Sequence, residues 1–177
     1  MNSFRKISLF ETAKFTGKLK QYEKLLYEAY VDFLKDYYGV NKNIEISFRK
    51  PNKKAYFGYI DLIALKSGKN KIIVENIPYG ILGKIGHEFT HIAQFLRGDF
   101  DYSNDEKNLL WKGKEFISVK DYSKITSLGE HKKLPWEKEA YAQQEILPKK
   151  FKESKFLNDL MGKDATLDFG IENDLWF

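Results

Sequence analysis

The chain has 177 residues, 42% hydrophobic and 31% charged, the composition of an ordinary globular domain long enough to bury a core. It has no cysteine, which excludes disulfides, thiolate metal sites, iron–sulfur clusters and a cysteine nucleophile. The net charge is +5, but of the 30 basic residues only Arg5, Arg49 and Arg97 are arginine. That weighs against a duplex reader built on guanidinium forks and leaves only a loose attraction to polyanions.

Length and the lack of repeats or low-complexity stretches predict one domain over residues 1–177. Met1 to Phe15 alternates charge with single apolar residues, without the apolar centre of a signal peptide. No run approaches the length of a transmembrane helix, so the expectation is a cytoplasmic protein with no membrane partner. A helix is expected from Lys18 to Tyr38, where Leu19, Tyr22, Leu26, Tyr30, Phe33 and Tyr37 recur at three- and four-residue steps, with Gly39 as its stop. Three strand-like runs follow. Ile44 to Arg49 alternates, Ala55 to Leu65 is aromatic and β-branched, and Lys71 to Ile77 follows the turn Ser67-Gly68-Lys69-Asn70, as in a hairpin.

A second helix is expected between Pro78 and Gly98, with proline at its start and glycine at its end. The region from Asp99 to Leu134 reads as irregular, except for a small hairpin around Trp111-Lys112-Gly113-Lys114-Glu115-Phe116. Two more helices are expected, Pro135 to Leu147 and Lys149 to Met161. The apolar tail Asp164 to Phe177 is expected to pack back on the body. This order gives an α+β fold: an N-terminal helix, a three-stranded twisted sheet, a central helix and C-terminal helices.

The chemistry sits on the second helix, in His87-Glu88-Phe89-Thr90-His91. Residues four apart share one helix face, so both imidazoles can reach one ion. The glutamate beside them can act on a water held at that ion. At 100° per residue, Ile81, Ile85, Phe89, Ile92 and Leu96 form a core stripe, and the histidines fall opposite among Gly80, Gly83, Thr90 and Gln94. Those small or polar residues leave room for an ion and for close approach of another segment.

A catalytic zinc takes three protein ligands and keeps one position open. Candidates for the third are Glu139, Glu137, Asp99, Asp101 and His131. Glu139 is favoured, because Ala140 and Ala142 after it let its helix pack closely on the His87 helix. Glu137 comes second. Both glutamates also suit the first turn of a helix for electrostatic reasons alone.

With these residues the sequence resembles the gluzincins, zincin-type metallopeptidases with H-E-x-x-H and a downstream glutamate. His87 to Gln94, followed by Glu137-Lys138-Glu139-Ala140, is similar to several small zincins, the ImmA/IrrE-like group among them. Trp111 to Lys114 and Leu134 to Ala142 are similar to segments of small phage-encoded metallopeptidases. The resemblance spans Pro78 to Gln143. It implies a zincin-like fold and a zinc-dependent endopeptidase acting on a peptide or protein substrate. It assigns His87, His91 and Glu139 to Zn2+ and Glu88 to the general base. The thermolysin-type N-E-x-x-S-D is absent, so the third ligand and the oxyanion donor stay open. His131, Tyr141, Tyr122 and Tyr102 are the donor candidates, His131 foremost as a catalytic residue, although a loop histidine in Gly129-Glu130-His131-Lys132-Lys133 has a plain surface reading too. Richness in Lys, Asn, Ile, Tyr and Phe is compatible with a phage or a low-GC bacterium. Three alternatives remain: an SprT-like protease drawn to nucleic acid by the positive charge, a catalytically silent zincin-like structural or binding protein such as a phage component, and a regulator whose helix pair binds a partner.

Overall fold

The alternation of Ile44, Ile46 and Phe48 with Glu45 and Ser47 builds the strand that organises the molecule. In the computed structural model, which describes residues 13–17, 19–49, 58–60, 67, 70–75 and 80–163, this run is β2 (Ile44–Arg49). Its isoleucines are fully buried. It is preceded by β1 (Ala13–Thr16) and α1 (Gln21–Tyr38) and followed by β3 (Gly58–Ile60) and β4 (Asn70–Glu75). These strands form one sheet in the order β1-β2-β4-β3. β1, β2 and β4 run parallel, and β3 returns antiparallel at the edge. The register sets Ile46 beside Ile72 on the core face. On the other face Glu45 lies beside Lys71, with their charged groups 3.1 Å apart.

The first sheet therefore has four strands where three were expected. β1 escapes sequence reading because Ala-Lys-Phe-Thr is too short to show a period, and its partner lies beyond a whole helix. α1 starts at Gln21 rather than Lys18 and ends as expected at Gly39, which takes a left-handed φ of 66°. Of the expected strand Ala55 to Leu65 only β3 is described; Tyr56 and Phe57 lie outside the described residues, as do Pro78 and the tail 164–177.

The central helix, α2 (Ile81–Arg97), begins after Gly80 and ends at Gly98, both left-handed. The segment after it is ordered, not irregular. β5 (Phe100–Tyr102), β6 (Asn108–Trp111) and β7 (Lys114–Ser118) form a second, antiparallel sheet in that order. Lys112 (φ 51°) and Gly113 (φ 75°) make the two-residue turn of the expected hairpin, with both residues at the positive φ that this type of hairpin turn needs. Two short helices follow, α3 (Val119–Tyr122) and α4 (Leu128–His131). α5 (Pro135–Lys152) and α6 (Lys155–Lys163) complete the described chain.

α5 does not break at Leu147 as expected but runs through Pro148. Proline has no N–H for the carbonyl of Gln144, one turn back, and its ring crowds that carbonyl. The Gln144 carbonyl instead faces Gly83 of α2, where an added Cβ would sit 3.0 Å from it. A glycine on the neighbouring helix thus leaves room for the carbonyl that the proline cannot bond.

The main core joins α1, β2, β4, α2, Leu147 and Phe151 of α5 and Leu157 of α6. A second cluster gathers Phe100, Leu109, Leu134 and Trp136. α2 lies between them and is buried nearly all round from Ile81 to Gln94: Ile85, Phe89 and Ile92 enter the main core, and α5 packs along the helix. Among the described residues no helix is long and apolar enough to cross a membrane. The architecture is mixed α+β with two small sheets.

Candidate metal centre

The i, i+4 spacing on α2 brings His87 and His91 together as the helical repeat requires, with their Nε2 atoms 3.3 Å apart. The third group comes from α5. Glu137 Oε2 lies 3.2 Å from His87 Nε2, and its Oε1 lies 3.3 Å from His91 Nε2. All three residues are buried, and among the described residues they are the group of His, Asp and Glu able to hold a metal ion.

The third position corrects the expectation of Glu139. On α5 the residues Glu137, Ala140, Gln144, Leu147 and Phe151 recur at three- and four-residue steps and form the stripe facing α2. Glu139 stands about 200° from Glu137 around the helix, since each residue turns it by about 100°. Its side chain is 31% exposed against 4% for Glu137. It accepts hydrogen bonds from Arg97 Nη2 at 2.9 and 3.1 Å and from Gln94 Nε2 at 3.1 Å. The signal was present in the sequence: stepping back three residues from the small Ala140 along the same face reaches Glu137. Asp99 is engaged by Arg97 Nε at 2.9 Å, and Asp101 accepts from the Tyr102 amide. Neither belongs to the cluster.

Glu137 owes its position to the residue before it. Trp136 is fully buried and stacks on Phe100 at a centroid distance of 4.8 Å, with Phe116, Trp111 and Tyr122 around it. The second sheet and α3 thus hold the first turn of α5 in place. Pro135 opens the helix at its first position, where a missing N–H costs nothing, and Glu137 falls in the electropositive first turn.

The interatomic distances fit a tetrahedral ion. Zinc–nitrogen and zinc–oxygen bonds of about 2.0–2.1 Å at the tetrahedral angle set ligand atoms about 3.3–3.4 Å apart. The two histidine nitrogens and the two Glu137 oxygens stand 3.2–3.3 Å apart in the pairs given above. Glu137 Oε2 is buried and faces the ring nitrogens of His87 and His131 at 3.2 and 3.3 Å. A buried carboxylate oxygen is costly unless something positive faces it. Two imidazoles and a carboxylate are also donor types that borderline divalent metals accept.

The electrostatics of the cluster follow from burial and crowding. Burial alone disfavours the charge on Glu137, but the histidines His91, His131 and His87 around it prevail and hold its carboxyl far below the usual range. Burial also pushes His91 down, yet the Glu137 carboxylate beside it, with help from Glu88 and Gln94, raises it to about 9. At His87 burial wins, and its pKa is lowered. Glu88, the second residue of the motif, is buried, and burial raises it to about 8.

His131, the last residue of α4, is brought to the site. Its Nδ1 lies 3.3 Å from Glu137 Oε2, and its Nε2 lies 3.3 Å from the Tyr122 hydroxyl. Tyr141 packs edge-on against His87 at 4.7 Å, with the Lys132 ammonium 4.7 Å from its ring centre. Tyr102 lies in β5, outside the group that could hold a metal.

Sequence reasoning placed Gln94 on the histidine face but gave it no role of its own. It is fully buried, and its Oε1 faces His91 Nδ1 at 2.8 Å. A buried amide at i+3 from a ligand histidine, on the histidine face, is the cue that the sequence did offer. Thr90, between the two histidines, bonds the Gly86 carbonyl at 2.8 Å and the Tyr38 hydroxyl at 2.8 Å. It thereby ties the end of α1 to α2.

Comparison of the chain with protein-family models, with curated proteins and with solved structures returns no match.

Proposed function

We propose that the protein is a small zinc-dependent peptidase of zincin-like type, with His87, His91 and Glu137 as the metal ligands and Glu88 as the general base. The observation that carries this reading is the triangle of His87 Nε2, His91 Nε2 and the Glu137 carboxylate at tetrahedral spacing, with a second buried carboxylate, Glu88, on the same helix. The fold agrees with the reading. A mixed sheet with an antiparallel edge strand, β3, packs on the helix that carries the motif.

When bound, zinc would supply a Lewis acid that lowers the pKa of a water and polarises a carbonyl. The chain's own part is acid–base and positional. Glu88, raised to about 8 by burial, sits near the range where a general base works best at neutral pH. A nearby cation favours its ionised form. It takes a proton from the attacking water and passes it to the leaving amine. His131 and its partner Tyr122 stand on the Glu137 side of the cluster, where a donor can meet developing negative charge.

Intact Glu88 favours catalysis over a silent metal-binding scaffold, since ion binding alone does not need that carboxylate. The test is elemental analysis of untagged protein, followed by cleavage of a peptide library. The expected result is about one zinc per chain and cleavage that Glu88→Gln abolishes while zinc stays bound. Absence of zinc after reconstitution would overturn the metal reading, and zinc without cleavage would leave the silent scaffold. Steep salt dependence of DNA binding would instead favour the nucleic-acid-associated protease.

A further inference from the structure

Gln94 is fully buried and makes three hydrogen bonds. Its Nε2 lies 2.9 Å from the Trp136 carbonyl and 3.1 Å from Glu139 Oε2. Both partners are pure acceptors, so the NH2 end of the amide must face them. The oxygen end is thereby turned to His91 Nδ1 at 2.8 Å. A carbonyl oxygen can only accept, so His91 Nδ1 carries a hydrogen. In the neutral ring the lone pair is then on Nε2, the atom that stands 3.3 Å from both His87 Nε2 and Glu137 Oε1. The amide orientation follows from its surroundings, and the histidine tautomer follows from the amide.

The same side chain reaches the other wall of the site. Trp136 immediately precedes Glu137, and Glu139 follows two residues later on the first turns of α5. Glu139 is held in turn by Arg97, one turn beyond Gln94 on α2. One amide therefore grips the ring of one candidate ligand and the backbone beside another. It adds no charge to the cluster, unlike the carboxylate that often supports a ligand histidine.

We propose that Gln94 is the positioning residue of this centre. It holds His91 in the Nδ1–H tautomer with Nε2 turned to the ion site, and it fixes the separation between α2 and the turn of α5 that carries Glu137. The effect on metal affinity rests on the metal-binding reading; the tautomer does not.

The experiment uses the full chain with two variants. Gln94→Met keeps length and bulk but removes both the donor and the acceptor. The exchanged pair Gln94→Glu with Glu139→Gln keeps an acceptor toward His91 and moves the donor to position 139. Two quantities are read: zinc affinity by chelator competition, and the His91 tautomer by long-range 15N–1H correlation of the imidazoles. The tautomer is read in the zinc-loaded protein and in the metal-free protein at a pH above the His91 titration. Gln94→Met is expected to lose roughly 10- to 100-fold in zinc affinity and to show mixed His91 tautomers in the metal-free protein. The exchanged pair is expected to keep Nδ1–H, because a carboxylate also only accepts, and to bind zinc less tightly than the parent, because the Trp136 carbonyl then faces an acceptor.

Parent-like affinity and an unchanged tautomer in Gln94→Met would overturn the proposal. Should that variant not fold, a folded exchanged pair that loses the Nδ1–H form would overturn it equally. A parent protein that binds no zinc would refute the metal reading alone, because the metal-free tautomer would still decide the role of Gln94.

Discussion

Replacing Glu88 by glutamine in the metal-free protein should stabilise it, and by an amount that grows with pH. Burial raises Glu88 from its ordinary 4.5 to about 8 in the folded chain. Below pH 4.5 the group is neutral both folded and unfolded, and it costs nothing. Above that the unfolded chain releases the proton first, so stability falls until the folded group also titrates near 8. At 1.36 kcal/mol per pH unit, the two and a half units between 4.5 and neutral pH amount to about 3 kcal/mol. Glutamine has nearly the shape of the protonated acid and no proton to lose, so it removes this penalty. For a chain of this length 1 kcal/mol moves Tm by about 2–4 °C. The variant should thus melt roughly 6–12 °C above the parent near pH 7 and within about 3 °C of it near pH 5. Thermal unfolding of chelator-treated protein, followed by circular dichroism across that range, measures the difference directly. Parallel pH profiles for parent and variant would refute the reasoning, because they would mean that Glu88 ionises at its ordinary pKa and is not held in a dry site.

Other substitutions separate the parts of the structure. Glu137→Gln should weaken zinc binding by more than about 100-fold, whereas Glu139→Gln should cost at most about 10- to 100-fold, the range for a supporting group rather than a ligand; chelator competition on both checks the order. The Tyr30 hydroxyl is fully buried with no hydrogen-bond partner among the described residues, so Tyr30→Phe should be neutral or stabilising by about 1 kcal/mol in denaturant unfolding. An added Cβ at Gly86 would meet that hydroxyl at 2.7 Å and Leu147 Cδ1 at 3.1 Å; Gly86→Ala should lose about 1–3 kcal/mol, partly recovered when combined with Tyr30→Phe. Trp136→Ala should cost about 3–5 kcal/mol in the second cluster and lower metal affinity as well, because the turn that carries Glu137 is anchored there. Unchanged affinity in a folded Trp136→Ala protein would show that α5 holds Glu137 without the tryptophan.

Much of the helical framework could be read from the chain, because helix signals are local. Gly39 and Gly98 end α1 and α2 where the periodicity stops, and the alternation in Ile44–Arg49 marks β2 over its observed bounds. The second sheet was largely missed. Its strands are three to five residues long, too short for a period to stand out, and only the Lys112-Gly113 turn marked a hairpin. Pro148 was read as a helix break because a proline normally removes a bond and adds a clash; here the helix continues, and the Gln144 carbonyl one turn back lies against Gly83 of another helix.

The sequence by itself determined the local half of the candidate site. Two histidines four residues apart on a helix must share a face, and the glutamate between them must lie beside that face, whatever surrounds the helix. Only the tertiary structure decided the other half. Whether Glu137 or Glu139 meets the histidines depends on the rotation of α5 about its own axis, and that rotation is set by Trp136 in the aromatic cluster and by Ala140, Leu147 and Phe151 against the core. Whether Gln94 points at His91 or at water depends on the Trp136 carbonyl and Glu139 arriving from the same distant helix. No window of the chain contains both partners of those contacts, so no periodicity within it could reveal them.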